Sequence, residues 1–309
     1  MMLNNKLLKG YIATIIATIL WGASFVWTSD LFQVCHFPAI TIVLCRLVIA
    51  SIIMFILFTL TGNLDKIKKE DLKLFISLAL FQPFLYFIGE TYGIKYVGEA
   101  SFAAVMISLI PICAPFALSM VYKTKVKGSI VLGAFISVVG VVLMSLNLSG
   151  QGPSIKGILF LSEAVIVACV YNVLLQKLLK KGYGAITITT YQNIFATVFY
   201  IPLFFALEYK EFVAIQWTSR AILDIMFLAI LCSSIAYVCY SYGAKIISIE
   251  KEAMFNNAIP VVTIIMSVMM GQEILTIRKV LGMLVVIVGL MIGQGNILKK
   301  IKRRVTEIK

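Results

Sequence analysis

Arg46, Glu90 and Glu163 stand inside long apolar runs, and so do the amides Asn172, Gln192, Asn256 and Asn257. The planar fork of an arginine suits a carboxylate, which it can hold through two parallel N–H groups. A partly desolvated carboxyl keeps its proton in one environment and releases it in another. An amide donates and accepts at once. Such a set can grip a small polar molecule and exchange a proton. The sequence carries no HExxH, Walker loop or nucleophile elbow. Its six cysteines form no CxxC pair, and His36 is its single histidine. No catalytic residue, metal or cofactor is therefore expected, and the chain is not read as an enzyme.

The solvent decides which elements position these residues. Of 309 residues, 61% are hydrophobic and 13% charged, against about 45–50% and 25% in soluble domains. Ten apolar runs follow one another with short links: 11–29, 37–60, 72–91, 100–121, 128–148, 157–176, 185–207, 221–243, 253–270 and 280–298. Each is close to the ~20 residues of a bilayer-spanning helix. The fold class expected is an all-α membrane protein with ten transmembrane helices. Lys6 and Lys9 before the first run mimic a signal peptide. That run is longer than a typical signal core and lacks a small-residue cleavage site, so it is read as a retained first helix. The net charge of +13 is distributed unevenly. With the N-terminus cytoplasmic, 20 of the 27 Lys and Arg fall on inner segments and 6 on outer ones, Arg46 being within a span. The bias fits the positive-inside rule, places both termini in the cytoplasm and accounts for the charge without a nucleic-acid partner.

The sequence also repeats itself. M-I-S-L-I-P at 106–111 is echoed by F-N-N-A-I-P at 255–260, an offset of 149. V-L-G at 131–133 and V-G at 139–140 recur at 280–282 and 288–289. Y-G-x-K at 92–95 recurs at 242–245, and A-I-T-I at 39–42 recurs at 185–188. Matches in the same order argue for an internal duplication. The period is five spans, an odd number, so the second copy crosses the membrane in the opposite sense. The expectation is two inverted five-helix repeats, 1–148 and 149–298, and a basic tail, 299–309. In transporters of this build the substrate site lies near the midplane, where the halves meet. Pro111 and Pro260 occupy equivalent places. Inside a helix each would free the carbonyl one turn earlier, on Ile107 and Asn256, and turn that kink toward a cavity.

Each polar residue then has two readings. Arg46, about nine residues into span two, either holds a substrate carboxylate or forms a structural ion pair with Glu163, Glu90 or Asp30. Gln192 stands opposite it at an offset of 146. Glu163 is the first candidate for proton coupling and Glu90 the second. Trp21 falls near the middle of span one, where an interfacial aromatic belt does not explain it; it either stacks on a substrate or packs. Tyr86, Tyr171, Asn172 and Tyr237 line a cavity or belong to the core. Asn256 and Asn257 face the cavity or bond neighbouring helices as polar glue. Gly133, Gly140, Gly282, Gly289 and Gly293 let helices approach closely. They are read as packing, and their faces on spans five and ten are candidates for a homodimer contact.

Taken together, the chain resembles the drug/metabolite transporter superfamily in its ten-helix EamA-type branch. The likeness rests on I-L-W-G-A-S-F-V at 19–26, C-R-L-V-I-A at 45–50, the stretch 92–143 and its counterpart 242–291 with G-Q-E at 271–273. It implies two inverted halves around a central cavity, alternating access, and export or import of amino acids and related metabolites, often proton-driven. Where the family has Gly-Glu after span four, this chain has Tyr122-Lys123-Thr124; Glu273 keeps the acid in the second half and reads as a helix-boundary feature. The expected function is a multi-pass inner-membrane secondary transporter of a small polar metabolite, with amino-acid export the narrower reading. A lipid flippase or scramblase and, behind it, a membrane-embedded enzyme are the alternatives. The partners expected are the small-molecule substrate and the lipid bilayer.

Overall fold

Apolar segments of this length can satisfy their own backbone only as helices when surrounded by hydrocarbon. Helices are what they form in the computed structural model, which describes residues 2–114, 116, 126, 128–145, 153–247 and 255–306. In chain order these are α1 (Met2–Gln33), α2 (Ala39–Leu60), α3 (Leu72–Ala79), α4 (Tyr86–Val97), α5 (Ala100–Ile107) and α6 (Gly128–Ser145). Then come α7 (Ile155–Lys180), α8 (Ala185–Leu207), the short α9 (Tyr209–Val213), α10 (Ser219–Met226), α11 (Tyr237–Ile247), α12 (Ile259–Met269) and α13 (Ile277–Thr306). No strand occurs among the described residues. Among the described residues, six stretches are long and apolar enough to cross a membrane, and Ala100–Ala114, Gly128–Met144 and Asn256–Met269 are shorter apolar helices. The basic residues Lys123, Lys125, Lys127 and Lys251 lie outside the described residues.

Two acids fasten the bundle by capping helices far away in sequence. The residues that precede α2 and α8, Pro38 and Gly184, have no side-chain oxygen to offer the first N–H groups. Glu208 supplies it to α2, accepting from the backbone N–H of Ile40 at 3.0 Å, that of Thr41 at 2.7 Å and the Thr41 hydroxyl at 3.0 Å. Asp65 supplies it to α8, accepting from Gly184 N–H at 3.2 Å and the Thr187 hydroxyl at 2.9 Å. Thr41 and Thr187 are the threonines of the repeated A-I-T-I. A capping carboxylate satisfies orphan donors and faces the positive end of the helix dipole, together worth about 1–2 kcal/mol. Glu273 plays the same part at α5, accepting from Ser101 N–H at 2.9 Å and pairing with Lys279 at 3.1 Å.

Two corrections concern the prolines and the glycines. Pro111 and Pro260 do not kink continuous helices. Span four breaks at Ser108–Leu109 just before Pro111. Pro260 sits in the first turn of α12, after a 3-10 turn at Asn256–Ala258. At the start of a helix the missing N–H of proline is an orphan in any case. The Asn256 carbonyl is not freed, because it accepts from Ile259 N–H. The glycines of spans five and ten meet each other within one chain. Gly133 lies against Gly289 and Gly293, and Gly140 against Gly282. A β-carbon at Gly140 would fall 2.7 Å from the Gly282 carbonyl oxygen. These faces are used up between α6 and α13, so they do not offer the homodimer contact.

Gly140→Ala is therefore expected to lower stability by about 1–3 kcal/mol through overpacking, read as a lower melting temperature. Unchanged melting with a change in oligomeric size would restore the dimer reading.

Candidate functional site

Between α3 and α4, residues Leu80–Leu85 carry a kink at which Gln82 leaves helical geometry, with φ −146° and ψ 125°. Phe227–Ala236, between α10 and α11, is a π segment. Such interruptions expose backbone and re-aim side chains in the middle of a helix. Beside Gln82 and Tyr237 lies a cavity of about 40 Å³, room for a few water molecules at roughly 10–15 Å³ each.

Arg46 from α2 is 2% exposed and forms part of the cavity wall. Its Nε donates to Ser233 Oγ at 2.8 Å, and its guanidinium carbon lies 4.3 Å from the centre of the Phe87 ring. The cation–π contact is worth about 2 kcal/mol when desolvated, less than the several kcal/mol lost by burying an ion. Arg46 forms no salt bridge among the described residues. The ion pairs weighed for it are absent there: Asp30 is taken by Arg220, and Glu163 is unbonded at its Oε2. Glu90, 5% exposed, faces the same cavity and accepts from the Tyr86 hydroxyl at 2.9 Å.

Aromatic residues build the rest of the wall. Trp21 packs against Tyr237 at 5.1 Å and Tyr240 at 5.0 Å. Gln82 Nε2 donates to the Tyr237 hydroxyl at 2.8 Å, and the Tyr240 hydroxyl donates to Asn172 Oδ1 at 2.6 Å. Tyr171, also on the wall, donates to Gln192 Oε1 at 3.3 Å. Asn256 lines the cavity with its buried Oδ1 lacking a hydrogen-bond partner.

Trp21, Arg46, Tyr86, Glu90, Tyr171, Asn172, Tyr237 and Asn256 are thus brought to one cavity. Three residues singled out in the sequence are not on its wall. Gln192 is fully buried behind Tyr171. Asn257 is half-buried and off the wall. Glu163 sits between α4 and α7, where a methyl group on Gly89 would collide with its Oε2. The sequence reading missed Gln82, Phe87, Ser233 and Tyr240. Gln82 had a signal, since a polar residue beside Pro83 in an apolar run is the pattern that singled out Asn256 and Pro260.

Helices apolar on the outside and polar at a buried centre are the build of a membrane transporter. The chain belongs to the EamA-like transporter family, whose sequence model matches residues 8–146 and 155–292. It is similar to an uncharacterized transporter of Archaeoglobus fulgidus, 27% identical over 92% of this chain and 98% of that one. The uncharacterized transporter YyaM of Bacillus subtilis is 26% identical over 94% and 95% of the two chains. A WAT1-related protein of Arabidopsis thaliana is 28% identical over 44% of this chain and 39% of its own. One crystal structure shares the fold with a TM-score of 0.64 at 14% identity, over 90% of this chain and 98% of that one.

Gln82→Ala would strand the buried Tyr237 hydroxyl and is expected to cost about 1–3 kcal/mol of stability. Asn256→Ala, whose buried Oδ1 has no hydrogen-bond partner to strand, should cost less than Gln82→Ala. Thermal melts of the purified variants check both. Equal losses would remove the distinction between a wall-building amide and a free one.

Proposed function

We propose that this membrane protein is a secondary transporter of a small zwitterionic metabolite, with amino-acid export as the narrower reading. The observation that carries it is the pairing of Arg46 and Glu90 on one buried cavity wall, with no salt bridge between them. A molecule with a carboxylate and an ammonium group matches the charges of such a site, and the cavity of about 40 Å³ would widen to admit it in the transport cycle. Its carboxylate would neutralise the guanidinium, which suits bidentate contacts, and its ammonium would face Glu90. Asn256 and Asn172 would add hydrogen bonds, and Trp21 would close over the remainder.

Ten spans in two inverted halves, both termini in the cytoplasm and alternating access complete the reading. The supports are the positive-inside bias, the two stretches matched by one family model and the paired packing of the halves. Gly10 of α1 lies against Ile246 and Ile247, and Gly157 of α7 against Val97, which corresponds to Ile247 at the offset of Y-G-x-K. Glu163 is the coupling group: its unbonded carboxylate oxygen abuts Gly89, the neighbour of Glu90 in sequence. The flippase alternative needs a polar groove open to lipid. The outward faces of α2, α6 and α13 instead carry Ile52, Phe55, Phe135, Val138, Leu281 and Leu284.

Proteoliposomes loaded with a panel of amino acids, amines and carboxylic acids test the reading, with and without a pH gradient. Transport of zwitterions is expected, and Arg46→Gln should weaken it by roughly 5- to 150-fold in affinity, the equivalent of about 1–3 kcal/mol. Glu163→Gln should abolish gradient-driven accumulation and leave counterflow. Wild-type accumulation by that variant would remove Glu163 from coupling; transport of none of the panel would overturn the substrate class.

A further inference from the structure

An ion pair stands at each end of the helix bundle, off the cavity wall. At one end Arg220, in the first turn of α10, donates through Nε and Nη2 to both oxygens of Asp30 on α1, at 2.6 and 2.5 Å. Asp30 is fully buried, and Gln272 Nε2 adds a bond to it at 3.0 Å. At the other end Lys181 lies 2.7 Å from Asp71, whose second oxygen accepts from the Tyr183 hydroxyl at 2.8 Å.

A second acid stands at the Arg220 end, its carboxyl beside that of Asp30. Asp224 lies one turn along α10 from Arg220, is 5% exposed, and its buried Oδ2 has no hydrogen-bond partner. Its carboxylate, that of Asp30 and the Cys35 thiol have ligand atoms within 4.8 Å of one another. Both Asp30 oxygens are already taken by a guanidinium, which argues against a metal among them. Side chains four apart on a helix are neighbours, so Arg220 has an acid on α1 and an acid on its own helix within reach. Its side chain is 51% exposed, which leaves it free to move.

We propose that Asp30, Arg220 and Asp224 form the outer gate latch of the transporter: Arg220 ties α10 to α1 through Asp30 while the outer side is closed, and passes to Asp224 when the two helices part. Exchange between two acids keeps the arginine paired in both states, whereas separating a buried pair outright would leave an uncompensated charge. A latch with two discrete arrangements is the kind of bistable contact that domain and helix motions use. The proposal rests on the alternating-access reading and supplies its outer switch.

The test is read without substrate. The six native cysteines are replaced by serine, Ser24→Cys is placed on the cavity wall, and a membrane-impermeant maleimide is applied from the outer face. Asp30→Asn should raise the labelling rate about tenfold, as expected for loss of a charge-assisted bond, and Asp30→Glu should stay near the parent rate. Asp224→Asn is the decisive variant. A latch predicts slower labelling, because the open state loses its resting place for Arg220. An acid that is merely buried predicts the same or a faster rate, and that result overturns the proposal, as does an unchanged rate for Asp30→Asn. Elution of each variant as a single species in detergent, with labelling from the inner face, separates misfolding from gating. Failure of the substrate reading would appear as absent transport with the labelling pattern intact.

Discussion

In hydrocarbon every buried polar group must find its partner inside the protein, and the rest of this structure follows from that constraint. Glu208 and Asp65 meet it by lying across to the starts of helices whose preceding residues, Pro38 and Gly184, cannot cap them. Gln82 and Tyr237 meet it by bonding each other beside a backbone break. Arg46 meets it only in part, with one hydroxyl and one ring. A charge held at that depth with so little company is the most informative residue in the chain, because intramembrane ionisable groups persist where function requires them.

The proposed duplication would explain why such a site can exist at the centre. Gly10 and Gly157 each let a neighbouring helix approach, and Thr41 and Thr187 each meet a carboxylate, as a scaffold built twice from one plan would require. The chemistry is not duplicated. Gln192 stands where Arg46 would recur, at the offset of 146. Symmetry supplies the architecture of two faces, and departures from it give each face its own charge. In the proposed transport cycle this difference is what allows one side to open while the other stays closed.

Much of this was legible in the sequence, for identifiable reasons. The apolar runs were readable because lipid demands about twenty apolar residues per helix. The repeated A-I-T-I was readable because a helix start keeps its threonine. Its acid partner was not, since Glu208 and Thr41 are 167 residues apart and only the folded chain brings them together. Trp21, Tyr86 and Asn256 could be singled out as polar or aromatic residues at mid-depth, but their convergence on one cavity depends on a kink and a π segment whose sequences, 80–85 and 227–236, read as ordinary apolar helix. The helix breaks before Pro111 and Pro260 went unread because a proline's effect depends on whether it opens a helix or interrupts one. For Arg46 the sequence offered three acids as partners, and only the geometry decided against them.

The central claim is that substrate sits between Trp21 and Arg46 in the buried cavity. Trp27→Phe with Trp217→Phe leaves Trp21 as the one remaining tryptophan, and its fluorescence can be titrated with a transported molecule. The account predicts a saturable change that Arg46→Gln abolishes. A transported molecule that leaves Trp21 silent, or a change that survives Arg46→Gln undiminished, would contradict it.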